Sequence, residues 1–210
     1  MNKQERTYTV LRDRIHSGTF APKARLNIDA LARELGVSAI PVREALRRLE
    51  AEGWVKFQPN VGAIVAPLDA TTWEPQMVAV ALLEGAASAD AVAQLRPSDL
   101  AKLRKLAAEM EEVAADGDMA RFSRLNRRLH ATITARCGNP YLLELLEQTN
   151  QRLDRIRDTM FTYLPERSKA AIGEHARLIE LLEAGDAAAV EAYARWHKLQ
   201  TIEAYRMAHE

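Results

Sequence analysis

The chain has 210 residues, with 29 Lys+Arg against 29 Asp+Glu, so it carries no net charge and is not a uniformly basic nucleic-acid coat. Hydrophobic residues make up 48% and aromatics only 6%, a composition that predicts a mainly α-helical fold of one large or two small domains. One cysteine, Cys137, excludes an intrachain disulfide, and with no signal peptide or long apolar span visible the chain reads as cytoplasmic, without a membrane partner. The charge is unevenly spread. Residues 1–68 hold 11 Lys+Arg and 7 Asp+Glu, net +4, and residues 69–210 hold 18 and 22, net −4. A basic front and an acidic back fit a DNA module joined to a module of another kind.

Residues 28–35 carry apolar side chains at Ile28, Leu31 and Leu35, the spacing of one buried helical face. Asp29 favours the positive helix end, and Gly36 supplies the left-handed conformation that a tight turn needs. Ser38 is the expected N-cap of a second helix, with Pro41 in its first turn. On that helix Val42, Ala45, Leu46 and Leu49 face a core. Arg43, Arg47 and Glu50 share the opposite face, flanked by Arg48, as in a helix that lies in a major groove. Residues 54–57 and 63–65 alternate like two short strands joined by Gln58-Pro59-Asn60-Val61-Gly62, a loop of turn formers expected to project as a wing beside the helix. Arg43, Arg47 and Arg48, with Ser38, Asn60 and Gly62, are the candidate DNA contacts.

The string LGVSAIPVREALRRLEAEGWV followed by NVGAIV resembles the winged helix-turn-helix of the GntR superfamily of bacterial transcription regulators. Leu11, Ile15, Gly18, Phe20, Pro22 and Leu26 match its first helix and approach loop, so the resemblance covers roughly residues 5–66. Two positions depart from it. Ala39 stands where the family commonly has Arg, and Val61 where a basic wing tip is usual, so two DNA contacts are missing from the pattern.

A winged domain over residues 1–66 is therefore expected, then a linker at 67–72 and a helical domain at 73–210. In the latter, helices are predicted near 73–94, 98–115, 118–137, 140–163, 166–184 and 186–208, separated by Pro97-Ser98, Asp116-Gly117-Asp118, Gly138-Asn139-Pro140, Leu164-Pro165 and Gly185-Asp186. Short connections predict antiparallel neighbours in a bundle. His130, His175 and His197 fall inside these helices, and Asn126 stands one turn before His130 on the same face. Three imidazoles and an amide oxygen converging in a bundle would suit a divalent metal with open positions. Ligands spread over three helices carry no local signature, and spacing alone favours three unrelated, hydrogen-bonded histidines.

The pattern NRRLHATI…GNPYL…EHARLIELLEAGD…WH is similar to the FCD domain, the helical effector-binding domain of the FadR-like GntR branch, in its shorter, six-helix VanR-type form. The resemblance covers roughly residues 73–208. It implies a metal held by Asn126, His130, His175 and His197, with zinc, nickel and manganese as candidate ions, and a small organic-acid effector beside it. Asn126 stands where many members have Asp, which removes one negative charge. Val80 stands where members often have Arg, four residues before the Glu that corresponds to Glu84.

A ligand-controlled regulator follows, expected to be a repressor that binds a roughly palindromic operator as a homodimer, since one recognition helix contacts too few bases. The rivals are a metal-dependent hydrolase built on the histidines and an architectural DNA-binding protein with a structural metal. No base, nucleophile or oxyanion donor is evident near the histidines, so catalytic residues are not assigned. Glu174 is expected at the surface or supporting His175. Arg152, Arg155 and Arg157 with Asp154 and Asp158 read as a solvated helix face, Trp73, Tyr193, Trp196 and Tyr205 as packing or dimer contacts, and His16 and His209 as incidental.

Overall fold

The computed structural model describes residues 3–67 and 70–208, excluding the side chains of residues 72, 152, 154–159 and 163. The Arg152, Asp154, Arg155, Arg157 and Asp158 cluster therefore lies outside the described side chains, and His209 outside the described residues.

The chain divides into two units, Met1–Asp69 and Ala70–Glu210. In the first, α1 (Lys3–His16), α2 (Ile28–Leu35) and α3 (Ala39–Ala51) precede β1 (Val55–Gln58) and β2 (Gly62–Val65). Asn27 caps α2 by accepting from the Ala30 amide, and Gly36 ends it at φ +64°. That conformation is nearly free for glycine and costly for other residues. It turns the chain directly into α3, whose buried Val42, Ala45, Leu46 and Leu49 pack against Leu11 and Ile15 of α1 and Val55 of β1. The strands pair antiparallel, Val55 opposite Val65 and Gln58 opposite Gly62. The approach segment adds to β2: the Leu26 amide donates to the Ala63 carbonyl and the Val65 amide to the Ala24 carbonyl.

The second unit contains α4 (Ala70–Ala91) with a following 3₁₀ turn, α5 (Pro97–Ala115), α6 (Met119–Thr134), α7 (Pro140–Tyr163), α8 (Pro165–Ala184) and α9 (Ala187–Met207). The breaks have local causes. Asp118, Asn139 and Asp186 each accept a hydrogen bond from a first-turn amide of the next helix, and Gly185 closes α8 in the left-handed region. Helix α4 lies mainly against α9 and α7, while α5 packs on α6 and α8. Phe122, Leu129, Ile133, Leu178 and Leu182 fill the centre, with the Phe122 and Phe161 rings edge-to-face at 4.7 Å.

Two expectations need correction. The linker expected at 67–72 is shorter, because α4 begins at Ala70; nothing in Ala70-Thr71-Thr72 forbids helix, and the buried Trp73 that follows draws the turn onto the bundle. A long apolar span does exist: Trp73–Gln94 is long and apolar enough to cross a membrane by length and composition, with a mean hydropathy of 1.3. Here it is a helix of the bundle, and Glu84 sits buried in its middle.

Candidate DNA-reading face and candidate metal centre

Helix α3 presents its polar face outward because its apolar positions are consumed by the core. Arg43 is exposed at the middle of that face. Arg47 is exposed but oriented: its guanidinium stacks 4.3 Å from the Phe57 ring centroid and donates to Glu50 Oε2 at 2.8 Å. Glu50 also accepts from the Phe57 amide, so one carboxylate couples the helix to the wing strand. Ser38 occupies the cap position with extended backbone, yet its hydroxyl makes no bond to the helix. It is left for another acceptor or donor. At the wing, Asn60 adopts φ +63° and Gly62 φ +93°, the left-handed turn that aims the tip away from the strands. Arg48 faces differently. It lies over the Tyr8 ring at 3.7 Å and bonds Glu5 and Glu52, which ties α3 to α1.

Inside the bundle the three histidines converge. His130 Nε2 of α6 lies 3.3 Å from His175 Nε2 of α8 and 3.2 Å from His197 Nε2 of α9, all three residues buried. The rear nitrogens of two rings face carboxylates. His130 Nδ1 is 2.8 Å from Glu84 Oε1 of α4, and His197 Nδ1 is 2.5 Å from Glu174 Oε2 of α8. Burial, with the neighbouring cations, holds His175 and His197 well below the ordinary imidazole range. They are neutral, so the His197–Glu174 contact is a hydrogen bond from Nδ1–H to the carboxylate. A neutral ring that donates from Nδ1 has a lone pair on Nε2.

That tautomer tests the site for a metal. With Nδ1–H of His197 committed to Glu174, its Nε2 lone pair faces His130 Nε2 across 3.2 Å. Three nitrogens about 2.0–2.1 Å from one tetrahedral ion lie roughly 3.3–3.4 Å apart, close to the two separations observed. Asn126 Oδ1 on α6 is buried without a hydrogen-bond partner among the described residues, an acceptor with nothing to accept from. Carboxylates behind ligating imidazoles are the usual means of fixing their orientation. The residues fit a divalent ion. The histidines are thus a cluster, against the reading that spacing alone favoured.

Three charged residues around this centre, Glu84, Arg167 and Lys198, were given no role there by the sequence. Glu84 is 2% exposed, and Lys198 Nζ lies 3.0 Å from the Oε1 that faces His130. Arg167 is 4% exposed; its Nη2 donates to Glu174 Oε2 at 2.6 Å and to the His197 carbonyl at 3.0 Å. Its Nε and Nη1 are buried with no acceptor among the described residues. A buried donor in that state costs about 1–3 kcal/mol. Glu174, expected at the surface or in support, supports His197 rather than His175. A chamber of about 30 Å³ is lined by Val80, Asn126, Arg167, His197, Lys198 and Thr201 among others. On the far side of His130, a cavity of about 440 Å³ opens between Glu84, Arg127, Thr134, Glu147 and Asn150.

Residues 3–65 match the bacterial regulatory proteins of the gntR family, and residues 77–200 match the FCD domain. The chain is 30% identical to the HTH-type transcriptional regulator YdhC of Bacillus subtilis (strain 168), over 82% of this chain and 77% of that protein. It is 26% identical to the HTH-type transcriptional repressor GlaR of Escherichia coli (strain K12), over 93% and 92%. The solved structure of E. coli McbR/YncC superposes with a TM-score of 0.66 at 27% identity, covering 99% of each chain. These relatives are regulators and not enzymes, which removes the hydrolase reading. The first match spans the winged head and the second the helical unit with its histidine centre, and the chain belongs to the GntR family of transcriptional regulators, in the FadR-like branch that carries an FCD domain.

Proposed function

We propose that this regulator is a cytoplasmic, homodimeric repressor whose operator affinity is controlled by a small carboxylate metabolite bound beside a divalent metal in the helical unit. The observation that carries the reading is the convergence of three Nε2 atoms with carboxylates behind two of the rings. His130, His175, His197 and the orphaned Oδ1 of Asn126 would hold the ion, whether zinc, nickel or manganese. Once bound, it would supply a Lewis-acidic position that accepts a carboxylate oxygen. Arg43 and Arg47 read base edges, and Ser38, Asn60 and Gly62 meet the DNA backbone; Arg48 contributes mainly by holding α3 on α1. Val78 (40% exposed) and Leu82 (47%), one turn apart on α4, support pairing of two chains, since they are apolar surface without a partner among the described residues. Carboxylate binding would change operator affinity through a coupling free energy between the two units.

The test is operator binding by the metal-loaded chain, followed by fluorescence anisotropy across a panel of small carboxylates. A carboxylate that weakens operator binding in the metal-loaded but not the chelated protein is expected. Operator affinity indifferent to every carboxylate and to chelation would overturn the reading and leave an architectural protein.

A further inference from the structure

We propose that Arg167 on α8 is the group that receives the effector's carboxylate, and that it does so in the chamber it shares with Asn126, His197 and Lys198. This rests on the carboxylate reading above and names the residue that would make it specific.

A guanidinium has five N–H donors. In Arg167 the two on Nη2 are used, by Glu174 Oε2 and the His197 carbonyl. The one on Nε and the two on Nη1 meet no acceptor among the described residues, although both atoms are buried. Three fixed N–H bonds on the wall of a chamber are an anion receptor waiting for oxygen. The chamber's other side-chain cation is already matched: Lys198 Nζ lies 3.0 Å from Glu84.

Charge accounting points the same way. Lys198 offsets Glu84 and Arg167 offsets Glu174, while imidazoles that ligate a metal do so in their neutral form and, like the Asn126 amide, add nothing. A divalent ion in their midst would stand almost uncompensated, and Asn126 in place of a carboxylate makes the excess larger. A monoanion is therefore favoured over a neutral or cationic ligand. Volume restricts it further. About 30 Å³ is room for about two waters, so the chamber takes a carboxylate head and little more. Arg167 also lines a larger groove of about 490 Å³ with Leu164, Pro165, Ala170, Ala204 and Met207, so it stands between the chamber and open space. The 440 Å³ cavity beyond His130 suits an anion less well, since its lining sets the carboxylates of Glu84 and Glu147 against the guanidinium of Arg127.

Acetate is the probe, with acetamide as its neutral analogue of equal size. The full-length chain is loaded with zinc, its metal content is measured by elemental analysis, and thermal melting is followed as each probe is raised at constant ionic strength. The wild type is expected to show a saturable upward shift with acetate and none with acetamide. Arg167→Gln should weaken the apparent acetate affinity by about tenfold or more on the metal-loaded fraction, as expected for loss of charged hydrogen bonds. Arg167→Lys keeps the charge near Glu174 but loses Nε and the second Nη. It should also fall well short of wild type, and it keeps the test decisive if the glutamine variant does not fold. A wild-type acetate response that either folded variant retains in full would overturn the role of Arg167 while leaving the carboxylate reading standing. A wild type that does not distinguish acetate from acetamide would overturn both.

Discussion

The carboxylate of Glu84 meets Nδ1 of His130 at 2.8 Å, and the same oxygen lies 3.0 Å from Lys198 Nζ. One buried carboxylate thus orients a candidate ligand and balances a buried cation. Replacing Glu84 by Gln keeps the shape but removes the charge. The imidazole then loses the negative charge beside its Nδ1, and Lys198 loses its counter-ion. Metal affinity should fall by about 10–100-fold, measured by chelator competition. A Glu84→Gln protein that competes for zinc as well as wild type would mean that the Glu84–His130 contact is packing alone.

The neutral histidines set the pH dependence of the metal-free protein. Burial is the main reason His175 and His197 lie well below the ordinary 6.5. On unfolding, both return to that ordinary value and take up protons that the fold refuses. Below about pH 6.5 the unfolded chain therefore binds more protons than the folded one, and stability rises with pH. The stabilisation is complete above that value and is lost as pH falls toward the depressed folded values. The melting temperature of chelated protein should be nearly level above pH 7.5 and should drop between pH 7 and 5. A profile that is flat or climbs on acidification would contradict neutral, buried rings.

On α3 the arginines divide by what they touch. Arg43 is exposed, and Arg47 is braced by Phe57 and Glu50. Arg43→Ala or Arg47→Ala should cost about 1–3 kcal/mol of specific operator affinity with little change in melting temperature. Arg48 instead bridges Glu5 and Glu52 over Tyr8, so Arg48→Ala should lower the melting temperature of the winged unit more than it lowers affinity at equal folded concentration. Gel shifts paired with circular dichroism separate the two effects. Equal affinity losses from Arg43→Ala and Arg48→Ala, with no loss of stability, would refute this division of labour.

The winged unit was legible because its instructions are local. Gly36, Asn60 and Gly62 each fix a turn within a few residues, Ser38 marks the cap position without bonding to the helix, and the apolar positions of α3 repeat at helical spacing. Helix ends in the bundle were legible for the same reason, at Asp118, Asn139, Gly185 and Asp186. The start of α4 was not, because Thr71 and Thr72 are both N-cap formers and suggest a later start than Ala70. The centre is the opposite case. Its histidines stand on three helices, and only a family resemblance singled them out against three unrelated residues. Glu84, Arg167 and Lys198 gain their roles when α4, α8 and α9 close on one another, so no spacing rule reaches them. One signal was present: Glu84 is the sole charge in the stretch from Met77 to Ala89, and a lone carboxylate in an apolar helix demands a buried partner.

The α4–α9 contact that frames this centre has its own tight point. A Cβ built at Gly85 would lie 3.0 Å from the Glu191 carbonyl oxygen and 3.4 Å from Cβ of Arg195. Alanine is the better helix former by about 1 kcal/mol, so a solvent-facing glycine in mid-helix would gain from Gly→Ala. Here the added methyl presses on backbone of the facing helix, which cannot rotate out of the way as a side chain can, and overpacking of this kind costs about 1–3 kcal/mol. The clash should win. Gly85→Ala is expected to destabilise the bundle by about 1 kcal/mol net. Because Glu84 is its neighbour and α4 must move outward to relieve the contact, zinc affinity should fall as well. Urea unfolding and chelator competition on the same sample test both effects. A variant as stable as wild type with unchanged zinc affinity would show that α4 and α9 have slack at this crossing, and that helix spacing is not what holds Glu84 against His130.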